Sequence, residues 1–336
     1  MKRINVEANN HSYDIFIGSS LLDEIDKYLD KEKKYVVITD DYLPKKYLDK
    51  IKEKINILTY EIAFGEKSKT INTVLDIISF LENNNVDKGY EIIALGGGVI
   101  NDIAGFVASI YKRGLKYTNI PTTLLAQVDA SIGGKTGVNF DEKKNLIGSI
   151  YPPRQVLIDT KTLETLDQRN FNNGMAEIIK VAMIYDKDLF YKLLKDEDVK
   201  KNIEEYIFEA VLIKRYFIEK DEFDLKERRA LNFGHTIGHA LEMADLSLLH
   251  GEAVAYGMKL MSFYNKDLIK LLDKFDLNKE LNISFDKLVP MIKQDKKEMS
   301  NKFNLIIVKD IGKYEIIEYN LDEIKKFWRW DYEYFW

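Results

Sequence analysis

The chain has 336 residues, 46% of them hydrophobic, enough for two domains with separate cores, and this excludes a disordered chain or a stapled mini-fold. With no Cys and only four His, it can have no disulfide framework, thiolate metal site or cysteine nucleophile, so any transition-metal site must use imidazole and carboxylate. Its 50 Lys+Arg and 55 Asp+Glu interleave to a net charge of −5 without the basic footprint of a nucleic-acid or anionic-lipid binder, which leaves a small molecule as the expected partner.

Met1 to Asn9 carries early charge and lacks the apolar core and cleavage site of a signal peptide. No uncharged apolar stretch reaches the ~18–20 residues that span a bilayer, so the chain reads as soluble and cytoplasmic. Arg3–Glu7 and Tyr13–Ile17 alternate as a hairpin, and Tyr35–Thr39 and Ile55–Ile62 are apolar strands. Thr70–Asn83 repeats its apolar residues at helical spacing, and strand Glu91–Leu95 runs through Gly96-Gly97-Gly98 into a helix over Val99–Tyr111. With strands at Lys116–Ile120 and Gln155–Asp159, this order predicts an α/β domain with a mostly parallel sheet. Beyond about residue 165 helical periodicity dominates, as in Met175–Ile184, Asn202–Phe217 and Val254–Phe263, followed by a β-rich Leu305–Val308 and a helix around Leu321–Lys326. The division expected is an α/β Rossmann-like domain over 1–163 and a mainly helical domain over 164–336. All three Trp fall in the last nine residues, which reads as a docked terminal segment or, alternatively, an oligomer contact.

Gly96-Gly97-Gly98 permits a tight turn, and free N–H groups at a helix start favour a phosphate, although position 101 is Asn and the spacing G-x-G-x-x-G is not met. Asp102, one turn on, suits either a ribose hydroxyl or the helix dipole. Gly65-Glu66-Lys67-Ser68-Lys69 is a second polar turn after a strand, with Glu66 and Lys69 as candidate ligands. From Asn119 to Asn139 a run of apolar and glycine residues holds Thr122, Thr123, Asp129, Ser131, Lys135, Thr136 and Asn139. Gly133-Gly-Lys-Thr136 resembles the end of a P-loop, but Asp129 stands where the earlier glycine belongs. Burial of Lys135 and Asp129 there requires a partner or a ligand. Lys143-Lys144-Asn145 adds positive charge.

In the second half, His235 and His239 lie four apart on one helical face and His250 opens another helix. Neutral imidazoles with a carboxylate suit Zn²⁺ with an open coordination position. The carboxylate is Glu177, which with Lys180 provides the only charge in Gly174–Ile184; a buried ion pair explains the two nearly as well. Spacing alone does not decide which two imidazoles join Glu177.

The motifs Leu95-Gly-Gly-Gly-Val-Ile100, Ile120-Pro-Thr-Thr-Leu-Leu-Ala-Gln-Val-Asp129, Gly133-Gly-Lys-Thr136, Lys144-Asn-Leu-Ile-Gly148, Gly174-Met-Ala-Glu-Ile-Ile-Lys180, Asn232-Phe-Gly-His-Thr-Ile-Gly-His-Ala240 and His250-Gly-Glu-Ala-Val-Ala255 together resemble the 3-dehydroquinate synthase family, over about residues 65 to 260. The resemblance implies a Rossmann-like NAD domain, a helical metal domain, an active site in the cleft between them and a homodimer. It also implies conversion of 3-deoxy-D-arabino-heptulosonate 7-phosphate to 3-dehydroquinate and phosphate, by transient oxidation, phosphate elimination, re-reduction and intramolecular aldol closure. The metal, Zn²⁺ or Co²⁺, then falls to Glu177, His235 and His250. NAD falls to Glu66, Lys69, Gly97, Gly98, Val99, Asp102, Thr122, Thr123, Lys135, Lys144, Thr162 and Thr165. Substrate falls to Asp129, Lys135, Asn145, Lys180, Lys214, Arg228, Asn232 and His239, with Arg113 reaching a phosphate in the neighbouring subunit.

The sequence departs from the family at Asn101, where glycine is usual, at Thr162, where a larger apolar residue is expected, and after Asp295-Lys-Lys297, so that Lys296 and Lys297 compete for one substrate contact. Three other readings are a different NAD- and metal-dependent sugar-phosphate cyclase, a metal-dependent polyol dehydrogenase, and a non-catalytic protein that keeps the fold.

Overall fold

The structure, a computed structural model, describes residues 1–8, 11–141, 143–295 and 302–333. Lys296, Lys297 and the terminal Tyr334–Trp336 lie outside the described residues. The strands are β1 (Lys2–Ala8), β2 (His11–Gly18), β3 (Lys34–Asp40), β4 (Asn56–Ile62), β5 (Tyr90–Gly96), β6 (Tyr117–Pro121), β7 (Lys135–Phe140), β8 (Lys143–Ile150), β9 (Gln155–Asp159), β10 (Lys302–Asp310) and β11 (Lys313–Asn320). The helices used below are α1 (Lys45–Lys52), α2 (Ile71–Asn83), α3 (Gly98–Ile110), α4 (Gln168–Tyr185), α5 (Lys187–Lys195), α6 (Ile203–Lys220), α7 (His235–Ala244) and α8 (His250–Met261). Residue contacts divide the chain into two compact units. The first is Met1–Asp167 with Ile203–Phe223, and the second is Gln168–Asn202 with Asp224 onward.

The first unit is built on a seven-stranded sheet in the order β1-β2-β9-β6-β5-β3-β4, parallel throughout except for the antiparallel β1–β2 edge. The unbroken apolar run Tyr35-Val-Val-Ile38 follows from burial on both faces. Tyr35 and Val37 join the core packed with Tyr47, Leu48 and Ile51 of α1, while Val36 and Ile38 join the core packed with α2 and α3. Chain order reverses between β3 and β5, and the crevice at the carboxyl ends of such strands is where an open α/β sheet binds its ligand. The Gly96-Gly97-Gly98 turn leaves β5 at this point.

Three parts of this unit exceed what periodicity predicts. Helix α1 is one. Another is the antiparallel β7–β8 hairpin, and the third is a π-helical turn over Ala126–Ala130 that carries Asp129.

The second unit is mainly helical, with a β10–β11 hairpin. Trp328 is buried against Tyr256 and Phe285, at ring-centroid distances of 5.3 and 5.9 Å, so this part of the terminal segment is docked. Glycines set its helix spacing. A β-carbon at Gly257 of α8 would collide with the Gly234 carbonyl oxygen at the head of α7, and one at Gly251 would collide with the Asn173 carbonyl oxygen of α4. The α4–α8 and α7–α8 approaches are therefore limited by backbone.

Gly257→Ala tests this. In an open helix the change gains up to ~1 kcal/mol; here overpacking of ~1–3 kcal/mol or more opposes it. Thermal and urea unfolding should show net destabilisation, and a more stable variant would show that α7 and α8 part freely.

Candidate metal centre and cofactor turn

Glu177 projects from α4 into the second unit's interior and is 2% exposed. The Lys180 ammonium, one turn on, touches one carboxylate oxygen. The Nε2 atoms of His235 and His250 stand 3.7 and 3.5 Å from the other. Neither oxygen has a well-formed hydrogen bond. Glu177, His235 and His250 offer ligand atoms within 4.8 Å of one another.

Donors at ~2.0–2.1 Å from a tetrahedral ion lie roughly 3.3–3.4 Å apart, so this ring fits a Zn²⁺- or Co²⁺-sized cation. The His235 Nδ1 lies 3.1 Å from the Phe233 carbonyl oxygen; with its proton there, it donates and leaves the Nε2 lone pair toward Glu177. The two imidazoles and Glu177 are therefore a set that could hold a metal. His239, whose ring lies 5.3 Å from that of His235, stands beside them.

The start of α8, where His250 sits, is pinned from α4. Asn173 Oδ1 accepts the Gly251 N–H at 2.5 Å, and Arg169 binds both Glu252 oxygens at 2.9 and 2.7 Å. Glu252 in turn accepts the Leu249 N–H. Arg169, Asn173 and Glu177 recur every four residues along one face of α4, so one helix carries both the carboxylate and the contacts that place its imidazole partner. Sequence reading missed Arg169 and Asn173, which resemble ordinary polar helix positions.

Burial raises the Glu177 pKa, but Lys180 and the two imidazoles outweigh it and hold the carboxyl well below its usual range. Burial, followed by the Lys180 charge, pushes His235 well down, so it is neutral. Burial also lowers His250, but the Glu177 and Glu242 carboxylates that face its two ring nitrogens prevail and push it up to about 10. Arg228 is buried nearby in sequence, in the Glu227–Asn232 turn, whereas Asn232 is exposed.

In the first unit, Gly97 caps α3 and Gly98 begins it, placing free N–H groups at the switch point. Val99 follows in the same first turn. Lys69, 5% exposed, donates to Asp102 Oδ2 and Asn145 Oδ1, both at 2.5 Å. Asp102 is thus paired with a lysine, which the dipole reading did not include. Its pKa is still raised, because burial outweighs the Lys69 charge. Glu66 accepts from Asn139 Nδ2 at 2.8 Å, and Asn139 Oδ1 accepts the Asn145 N–H at 2.9 Å. The polar turn is thereby tied to the β7–β8 hairpin, with Asn139 as the link.

Asp129 pairs with Lys214 of α6 at 2.5 Å, so these two predicted substrate residues stand together. Lys135 and Lys144 are exposed on β7 and β8. The burial expected of Lys135 is not found, because an edge hairpin turns that position to solvent. Thr122 is buried after β6, and Thr123 Oγ1 accepts the Ala126 N–H. The Thr162 hydroxyl bonds the Asp159 carbonyl and the Gln127 amide, and Thr165 bonds the Tyr47 hydroxyl. Arg113 is exposed with φ 65°, in the left-handed turn that follows α3. Asp40, which motif reading did not single out, ends β3 at the switch point, and burial raises its pKa.

The family pattern described as 3-dehydroquinate synthase N-terminal matches residues 59–173, and that described as 3-dehydroquinate synthase C-terminal matches 174–298. The 3-dehydroquinate synthase of Dictyoglomus thermophilum is 43% identical over 347 residues, covering 96% of each chain. Among solved structures, 2-epi-5-epi-valiolone synthase from Streptomyces hygroscopicus subsp. jinggangensis, with NAD⁺ and Zn²⁺ bound, aligns with TM-score 0.86 and 27% identity over 96% of this chain and 97% of that one. A 2-deoxy-scyllo-inosose synthase complexed with carbaglucose-6-phosphate, NAD⁺ and Co²⁺ aligns with TM-score 0.88 over 98% and 99%, and at 24% identity shares the fold.

A cation must displace the His250 proton, since that imidazole is charged at neutral pH without metal. Calorimetry of Zn²⁺ binding at pH 7.5, in buffers of different ionisation enthalpy, should report about one proton released per ion. Apparent affinity should rise about tenfold per pH unit below the His250 pKa. Binding without proton release would show that His250 is not a ligand.

Proposed function

The chain belongs to the 3-dehydroquinate synthase family, and on that premise we propose that it converts 3-deoxy-D-arabino-heptulosonate 7-phosphate to 3-dehydroquinate and phosphate, as a phosphorus-oxygen lyase. The observation that carries this reading is the buried Glu177–His235–His250 ring with Lys180 at its edge, in a chain whose other unit opens a helix on glycines at its switch point. When bound, NAD supplies reversible hydride transfer, and a divalent cation supplies Lewis acidity toward the substrate's hydroxyl oxygens.

The chain's own residues do the rest. The Gly97 and Gly98 N–H groups bind pyrophosphate, helped by Val99, Thr122 and Thr123 beside the turn. Asp102, positioned by Lys69, takes a ribose hydroxyl, as does Glu66. Asp40 at the end of β3 is a further ribose candidate. Lys135 and Lys144 offer exposed ammonium groups to the cofactor, while Thr162 and Thr165 act through their backbones because their hydroxyls are already bonded within the protein.

Lys180, Lys214, Lys135 and Arg228 supply cations for one carboxylate and one phosphate. Asp129 orients Lys214, and Asn145, Asn232 and His239 donate or accept at substrate hydroxyls. In the same proposal the enzyme is a cytoplasmic homodimer, with Arg113 reaching its neighbour's phosphate. The exposed left-handed turn that carries Arg113 supports this. Among the described residues no helix is long and apolar enough to cross a membrane.

Purified protein with NAD⁺ and Zn²⁺ should release phosphate from the heptulosonate phosphate without accumulating NADH. Stoichiometric NADH would point to a polyol dehydrogenase, and turnover only of another sugar phosphate to a different cyclase. Lys180→Ala should lower kcat by roughly 10²–10³-fold, the range seen when one charge-stabilising donor is removed. His250→Ala should lose both metal and activity. Both variants should keep their circular dichroism, and near-normal turnover by both would overturn the site.

A further inference from the structure

His250 lies between two carboxylates. Its Nε2 faces Glu177 at 3.5 Å, and its Nδ1 faces Glu242 Oε2, also at 3.5 Å. Glu242 is 8% exposed. It lies on α7 seven residues after His235 and three after His239, so the helix that carries one imidazole of the ring also carries the acceptor for the other. Burying a carboxylate costs several kcal/mol unless charge or hydrogen bonding offsets it, so its place behind His250 calls for a reason.

We propose that Glu242 is a positioning residue that holds His250 as the Nδ1–H tautomer and aims Nε2 into the ring formed with Glu177 and His235. His235 shows the same device with a neutral acceptor, the Phe233 carbonyl at 3.1 Å. The two imidazoles are therefore oriented unequally. His235 leans on a backbone dipole, whereas His250 leans on a full negative charge, which makes its Nε2 the more basic donor. This fits their settings, since each imidazole opens its helix but His250 is the more exposed, 25% against 12% for His235.

His239, Glu242 and His250 also offer ligand atoms within 4.8 Å of one another, which raises the alternative of a second ion on Nδ1. That arrangement would need His250 to bridge two ions as an imidazolate and give up both ring protons. One proton shared with Glu242 needs no such step.

The inference rests on the metal reading of the ring, and the test separates the two. Zn²⁺ affinity is measured by chelator competition and site geometry by the visible absorption of the Co²⁺ form, on the full chain and without reference to turnover. Glu242→Ala should weaken Zn²⁺ binding by about 10–100-fold and change the Co²⁺ bands. Glu242→Gln keeps the shape and an acceptor oxygen, and should recover most of the loss while leaving His250 less basic.

If wild-type chain binds no Zn²⁺, the metal reading fails. If it binds Zn²⁺ but both Glu242 variants match it in affinity and spectrum, only the positioning role falls. Two ions per chain, reduced to one by either Glu242 variant, would overturn the positioning role in favour of a second site. Should Glu242→Ala not fold, the Gln variant decides: a several-fold loss of affinity with altered Co²⁺ bands supports the role, and identity with wild type removes it.

Discussion

A carboxylate that is 2% exposed is the constraint around which the second unit is arranged. Without compensation, Glu177 would take up a proton or unfold its surroundings. The Lys180 charge and two imidazoles keep it ionised, and each must come within a few ångströms through a well-packed interior. Side-chain packing would hold the helices too far apart for that. Glycine at 251 and 257 removes the obstruction, and the Arg169–Glu252 and Asn173–Gly251 contacts fix the rotation of α8.

The first unit meets a different requirement, that of satisfying the charged and polar side chains gathered near its glycine turn. Its polar groups bond one another across three segments. Lys69 joins Asp102 to Asn145, Asn139 joins Glu66 to the hairpin, and Lys214 holds Asp129. A ligand entering such a network exchanges existing hydrogen bonds for new ones, and the side chains have already lost much of the rotamer freedom that binding would otherwise remove. The π-helical turn at Ala126–Ala130 belongs with this, since such bulges re-aim a side chain at the cost of one regular bond.

Much of this was legible from residue order. The parallel sheet followed from unbroken apolar runs separated by helices, and the Gly96-Gly97-Gly98 turn marked the passage from β5 into α3. Glu177 stood out because charge is rare in Gly174–Ile184, and the histidines because they cluster. Spacing alone stopped short of choosing the ligands, because His239 shares a helical face with His235; the family resemblance supplied that choice, and the ring geometry agrees with it.

The β7–β8 hairpin was hidden because its polar residues interrupt strand alternation, and for the same reason Lys135 was expected to be buried. Asn173 and Glu242 were missed for a common cause. Each matters through a partner on another helix, which no local pattern records.

Helix α6 has a consequence for how the protein is made. It packs within the first unit, with Lys2 over the Phe208 ring, the Glu7 N–H donating to Glu219 and Lys214 on Asp129. Yet the chain has by then left that unit at Asp167 and laid down α4 and α5 of the other. On the ribosome, the first unit therefore cannot complete itself when its last strand emerges. It must wait, with β1 and Asp129 uncovered, until some sixty further residues have been translated, and its folding is bound to that of a neighbour whose first helices arrive earlier.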